Sequence, residues 1–274
     1  MRRNHVPWRA AGTTTEKQHS ADEVVRETGW VFNNVTGGDL SLAEFVETGD
    51  HETLAYLTAF GLGDDDSLAS QTLVEIGSGI GRMTASFTRL FAEVIACDLD
   101  AAFLERCRET VAQFGRPDRL RTSPVADGRT IAVADDRADM AFSYITFQHC
   151  HHDDAIALSQ EAVRVVRGGG HVVLNYRTWT GRDVVLWPAG KIVRGLWRVP
   201  KLGPFIAKRR SLARLGWQAN RLSPNEVLDA IGARIGSIRI VRSPKRHAFG
   251  IPGTTEDTFE GINPSHWWLV ATVA

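Results

Sequence analysis

The chain is short of cysteine, of net charge and of long apolar runs, and each shortage removes a class of protein. Only Cys97, Cys107 and Cys150 occur in 274 residues. Their odd number and their spacing suit neither a disulfide framework nor a zinc ligand set, and point to a reducing, cytoplasmic compartment. The 32 basic residues cancel the 32 acidic ones, so no overall field draws the molecule to nucleic acid. No apolar run reaches the ~18 residues of a spanning helix. The opening MRRNHVPWRAAGTTTEKQHSADE is basic but lacks the apolar stretch of a secretion signal, and residues 1–40 read as a tail. No repeat or low-complexity tract interrupts a composition that is 43% hydrophobic and 23% charged, ordinary for a folded domain.

What is present is alternation. SLAEFVETGDHETLAYLTAF (41–60) has helical apolar spacing, with a break expected at Gly49, and Asp64–Asp66 mark a loop. Strand-like TLVEIG, EVIACDL, RLRTSPV, ADMAFSYI and HVVLNY then alternate with helical stretches at 82–91, 100–113 and 153–166. Near-continuous apolar strands separated by helices predict a doubly wound, mostly parallel sheet covered on both faces. Residues 177–222 read as a helical insertion. After it, Ser223-Pro224-Asn225-Glu226 forms a capping box with Pro in the first turn, and IGSIRIVRS and HWWLVATV close the chain as an antiparallel edge. The expected fold is α/β, a seven-stranded, mostly parallel sheet. Its parts are a core over 41–176, a lid over 177–222 and closing elements over 223–274.

LVEIGSGIGRMT (73–84) poses the functional question. A dinucleotide fingerprint needs glycine at its first, third and sixth positions. Here Gly77 and Gly79 fit, but Arg82 takes the sixth place and Gly81 is out of phase. Glu75, just before the turn, repels a phosphate and suits a ligand carrying an ammonium or sulfonium. Asp98 ends the second strand, seventeen residues after Gly81, where a carboxylate accepts hydrogen bonds from both ribose hydroxyls. A nicotinamide-dependent oxidoreductase shares that acidic residue but not the glycine phase or Glu75.

Together these segments resemble the class I S-adenosylmethionine-dependent methyltransferases, in their small-molecule branch, over roughly residues 45–176. VEIGSGIGR is similar to the family's first motif and VIACDLD to its acidic second strand. VADG (125–128) is similar to the adenine-contacting segment, and FSYITFQHC with EAVRVVRGGGHVVLN to the fourth strand, its helix and the turn into the fifth. The resemblance implies S-adenosyl-L-methionine as cofactor. Glu75, Gly77 and Gly79 would then face its methionyl part, Asp98 its ribose, and Asp127 and Gly128 its adenine. Purely structural alternatives stay open: a tight turn for the glycines, a helix cap for Asp98, a loop role for Asp127.

His149, just past the fourth strand, is the candidate general base, since histidine's ordinary pKa of about 6.5 suits proton abstraction near neutrality. A histidine that merely orients the loop is the alternative. Tyr144, Tyr176, Trp179 and His266 are the candidate acceptor-binding residues. His151, His152, Asp153 and Asp154 read as a helix start rather than a metal site.

Between Arg177 and Arg221 stand eleven basic residues against the single acid Asp183, with Trp179, Trp187, Trp197 and Trp217 among them. Three readings compete: indoles that pack on a sugar, a face for an anionic membrane, and a solvated helical lid. The expected activity is methyl transfer to an oxygen of a small molecule, with a saccharide hydroxyl first. Quinone, polyketide, lipid and amine acceptors are the alternatives, as is a non-catalytic cofactor-binding protein. The expected partners are that acceptor, a membrane surface through 177–221 and a second copy of the chain, with nucleic acid excluded because no RNA-binding module accompanies the patch.

Overall fold

The computed structural model describes residues 20–32, 40–63, 65–197, 199, 202–207, 212, 215–216 and 220–274. In chain order the elements are α1 (Ala21–Phe32), α2 (Leu42–Phe60), α3 (Asp65–Leu68), β1 (Thr72–Ile76), α4 (Thr84–Leu90), β2 (Glu93–Asp98), α5 (Ala101–Phe114), β3 (Leu120–Pro124), β4 (Ala138–Ser143), α6 (His152–Val165), β5 (Val166–Arg177), α7 (Asp183–Leu196), α8 (Leu202–Ala207), α9 (Pro224–Ile231), β6 (Ile235–Arg242), β7 (Thr255–Thr258) and β8 (His266–Val273). Seven strands are those expected. The eighth, β7, is a short edge strand whose polar TEDT sequence carries no apolar alternation.

The strands form one sheet in the order β3-β2-β1-β4-β5-β8-β6-β7. β1 to β5 are parallel neighbours, with registers such as Glu75 opposite Ala96 and Phe142. The doubly wound, mostly parallel α/β fold is thus present. The antiparallel strand, however, lies inside the sheet: β8 is inserted between β5 and β6 and runs against both. Its sequence explains the placement, because HWWLVATV is buried along nearly its whole length and an edge strand would leave one flank unpaired. Adjacent indoles serve opposite faces, Trp267 in one apolar layer with Leu158 and Val227, Trp268 in the other with Tyr56, Phe60 and Phe142.

Three expectations about the amino-terminal part are corrected. α2 is one unbroken helix, opened by a capping box between Ser41 and Glu44. Gly49 sits buried within it because the backbone of Arg82 packs there, and a Cβ would lie 2.2 Å from the Arg82 carbonyl oxygen. The stretch expected as a tail holds α1, whose Val24 and Val25 are fully buried with Phe45, Phe103 and Val111. Its polar flanks hide a narrow apolar face. Asp22 accepts a hydrogen bond from the Leu42 amide and Glu109 one from the Ala21 amide, which fix the helix to α2 and α5. Residues 1–19 and 33–39 of the expected tail lie outside the described residues. Asp65 belongs to the short turn of helix α3 rather than to a loop.

The insertion between β5 and α9 is tied at its base by one acid. Asp183 is fully buried and accepts hydrogen bonds from Thr180, from Arg177 at 3.1 Å and from Arg221 at 2.7 Å. Burial alone would raise its carboxyl, but the Thr180 and Arg221 hydrogen bonds and the Arg177 charge outweigh it and hold the pKa well below the carboxylate range. Asn220 then docks on the β4–α6 loop, donating to the carbonyls of Gln148 and Phe147. Both ends of the insertion are therefore fastened to the carboxyl edge of the sheet.

Gly49→Ala is expected to destabilise the protein by about 1–3 kcal/mol through overpacking, although alanine gains ~1 kcal/mol over glycine in an isolated helix. Urea unfolding checks it. A stabilised variant would show that the α2–Arg82 contact is not tight.

Candidate functional site

The chain leaves β1 outward to β2 and β3, then returns to β4 on the other side, so a crevice opens at the carboxyl ends of β1 and β4. Gly77, Gly79 and Gly81 turn the chain there with φ of 79°, 57° and 95°. At Gly77 the requirement is spatial as well, since a Cβ would stand 2.1 Å from Thr146 Oγ1 of the β4–α6 loop. The crevice is lined by Glu75, Gly77, Ser78, Gly79, Asp98 and Gly128, and farther along by Tyr144 and His149.

Its electrostatics are set by two buried acids. Glu75 accepts a 2.6 Å hydrogen bond from Thr84 Oγ1. Asp98 accepts from the amides of Gly79 and Asp100, each at 2.9 Å. Neither takes part in an ion pair among the described residues. Burial pushes Glu75 up to about 7, against the lowering effect of Thr84 and Arg82, and pushes Asp98 up to about 6 against its amide donors. The cap of α5 is Asp100, which accepts from the Ala102 amide, so Asp98 is not spent on capping.

His149 lies partly exposed on the crevice wall, with its amide on Thr146 O. Its Nε2 is 3.4 Å from the Gln148 amide nitrogen, and Gln148 Oε1 is 3.2 Å from His266 Nε2. Burial, with the nearby Arg177 and His149, pushes His266 down to about 3, so that ring is neutral. The inserted β8 is what delivers it: Arg177 of β5 pairs with His266 at the sheet's carboxyl edge.

A second cavity adjoins the first through Tyr144. Glu52, Asn175, Lys245, Glu260 and His266 are among its polar walls, with Tyr56 and Trp268 its aromatic ones. Tyr144 stacks on Trp268 at 5.4 Å, and its hydroxyl, 3.1 Å from that of Tyr56, is pushed up to about 12 by burial and by Glu52. Glu52 itself pairs with Arg82 at 2.6 Å.

Three candidates do not reach either cavity. Asp127 closes its own turn, accepting from the amides of Arg129 and Thr130 and from the Thr130 hydroxyl. Tyr176 is core: its ring lies between Phe147 and Trp267 and its hydroxyl meets Ser159. Trp179 sits on the insertion against Trp187 and lines neither cavity. His152 contacts Asp153 and Glu226 while Asp154 pairs with Arg129, and no group of three metal-ligating side chains occurs among the described residues. Residues not anticipated include Ser78, whose buried hydroxyl has no hydrogen-bond partner among the described residues, and the Arg82–Glu52 pair. Ile145, at φ 59°, is another. A β-branched residue there is strained by roughly 1–3 kcal/mol, and no sequence pattern announces it.

Residues 74–174 match the methyltransferase domain family. An uncharacterized methyltransferase of Mycolicibacterium paratuberculosis is 29% identical over 119 residues, 43% of this chain and 44% of the relative. One from Mycobacterium sp. (strain KMS) is 32% identical over 112 residues, 40% of each chain. The chain thus spans less than half the length of these curated relatives. Among solved structures, magnesium protoporphyrin IX methyltransferase from Synechocystis PCC 6803, with bound S-adenosylhomocysteine, aligns with a TM-score of 0.52 at 12% identity, over 92% of this chain and 97% of that one. This last likeness is one of fold. Residues 74–174 thus match a methyltransferase domain, and that match supports S-adenosylmethionine as the cofactor. The donor set fits that group, since two buried acids outside any ion pair among the described residues, and the buried Ser78 hydroxyl, suit a cationic nucleoside with free hydroxyls.

Because the folded state raises both acids, it binds protons that the unfolded chain releases between about pH 4 and pH 7. Their contribution to stability is therefore full in acid and lost as pH rises through the folded values. Glu75→Gln, which can still accept from Thr84, should raise the melting temperature at pH 8, change it little at pH 4, and weaken S-adenosylhomocysteine binding. Differential scanning calorimetry at both pH values checks this, and a variant less stable at pH 8 would contradict it.

Proposed function

We propose that the protein transfers a methyl group to a hydroxyl oxygen of a small, hydroxyl-rich acceptor, with a saccharide or glycoside the first choice. The observation that carries this reading is the junction at Tyr144: one crevice with the acids and glycines for the cofactor opens onto a polar, aromatic-floored cavity. The described lid tryptophans give a sugar no support, since Trp197 is buried and Trp179 and Trp187 pack on each other, and Trp217 lies outside the described residues. The support comes from the donors and acceptors of the second cavity.

When bound, the cofactor supplies an activated methyl group on a sulfonium. Glu75 takes its cationic end, Asp98 its ribose hydroxyls, and Gly128 gives room for close backbone approach. The acceptor lies against Tyr56 and Tyr144 with its hydroxyls on Asn175, Lys245 and Glu260. Holding both reactants in one water-poor junction supplies much of the rate. An acceptor hydroxyl that reaches past Tyr144 into the first crevice gives its proton to His149 Nε2, and proton abstraction of this kind contributes ~10²–10⁴-fold. A second reading, transfer to an amine, is favoured by the carboxylates Glu52 and Glu260 in the same cavity.

Ligand at 100 times its dissociation constant adds about 2.7 kcal/mol of stability, so S-adenosylhomocysteine should raise the melting temperature and NADH should not. Radiolabelled methyl transfer to panels of saccharides, phenols and amines then identifies the acceptor, and label on amines alone would replace the hydroxyl reading. Asp98→Ala should abolish the thermal shift. His149→Ala should keep it and lower kcat ~10²–10⁴-fold; unchanged turnover would remove His149 as the base.

A further inference from the structure

The insertion carries a face that the site does not use. In α7 the inward side is occupied by Asp183, Gly190 and Val193, all buried. At about 100° per residue, Val184, Val185, Pro188 and Ile192 fall together in one opposite sector. They are exposed, Val184 at 75% and Ile192 at 63%, and Leu202 and Phe205 of α8 are exposed as well. A helix with its inner face already packed has no core reason for a second apolar stripe, and monomeric surfaces seldom keep contiguous ones. Arg182 and Lys191 are exposed beside the stripe, and the Lys191 ammonium lies 3.4 Å over the Trp187 ring. Partly exposed Trp179 packs against that indole.

Among the described residues of the insertion, the exposed charges beside the stripe have one sign. Of the eleven basic residues between 177 and 221, Arg177 and Arg221 are buried on Asp183, and Arg194 donates to the Gly216 carbonyl. The only acid of the segment is thereby consumed internally, and the cations exposed among the described residues of the insertion are Arg182 and Lys191. We propose that this apolar, cation-flanked face of α7 and α8 is a docking surface for an anionic lipid bilayer, held at headgroup depth by Val184, Val185, Ile192 and Phe205. The apolar sector argues against a nucleic acid, which would need only the charge. The cationic surround argues against a second copy of the same face, which would bring like charges together. An amphipathic helix whose cations meet acidic headgroups while its apolar residues enter the acyl boundary satisfies both features. This inference does not depend on the acceptor or on methyl transfer.

Cosedimentation of the full chain with phosphatidylglycerol-containing vesicles and with pure phosphatidylcholine vesicles tests it. The expected result is binding to the anionic vesicles that falls with salt and is at least ~10-fold weaker for the neutral ones. The double variant Val184→Asp/Ile192→Asp should lose binding ~10-fold or more, with its S-adenosylhomocysteine thermal shift intact as proof of folding. Absence of vesicle binding would overturn the proposal. So would equal binding by the double variant, which would leave charge alone as the cause. A solution dimer that the double variant splits, seen by light scattering, would assign the stripe to a second copy and overturn it as well.

Discussion

Two buried carboxylates that enter no ion pair among the described residues, at the ends of β1 and β2, are the constraint on which the site depends. Burying an unpaired acid is costly, and the protein meets that cost partly by protonation, which is why Glu75 and Asp98 stand near 7 and 6. An acid held this way gains most from a ligand that brings positive charge or hydroxyl donors. The glycine turn between the strands removes side chains from the approach, and Gly79 commits its amide to Asp98. At these two side chains, burial without an ion pair costs stability in the free protein.

The sheet order turns this chemistry into a two-chambered site. Because β8 enters antiparallel between β5 and β6, its amino end, not its carboxyl end, reaches the functional edge. His266 arrives there beside Gln148, and Trp268 becomes the floor under Tyr144. A parallel strand in that position would have brought Val273 instead. The second cavity is thus a consequence of topology, and it differs in kind from the first: polar groups of both signs around aromatic rings, instead of acids around bare backbone.

How much of this was legible in the sequence varies with the range of the interactions involved. The β-α alternation over 72–177, the glycine turn, Glu75, Asp98 and the Ser223 capping box all announce themselves within a few residues, and each is found where its pattern put it. The errors share a cause. Gly49 looked like a helix break because glycine weakens helices, but the backbone of Arg82, distant in sequence, needs its missing side chain. Where Asp127 and Tyr176 lie was not legible either: the one accepts from its own turn and the other packs in the core, contacts that residue type and strand position do not record. The Asp183 staple, the strained Ile145 and the Gln148 bridge join parts of the chain, or backbone angles, that no local spacing records.

Crystals grown with S-adenosylhomocysteine test the central claim most directly. The account predicts the nucleoside in the crevice at the carboxyl ends of β1 and β4, its ribose hydroxyls on Asp98 and its amino-acid end beside Glu75. A nucleoside bound in the second cavity, or one whose ribose avoids Asp98, would contradict it.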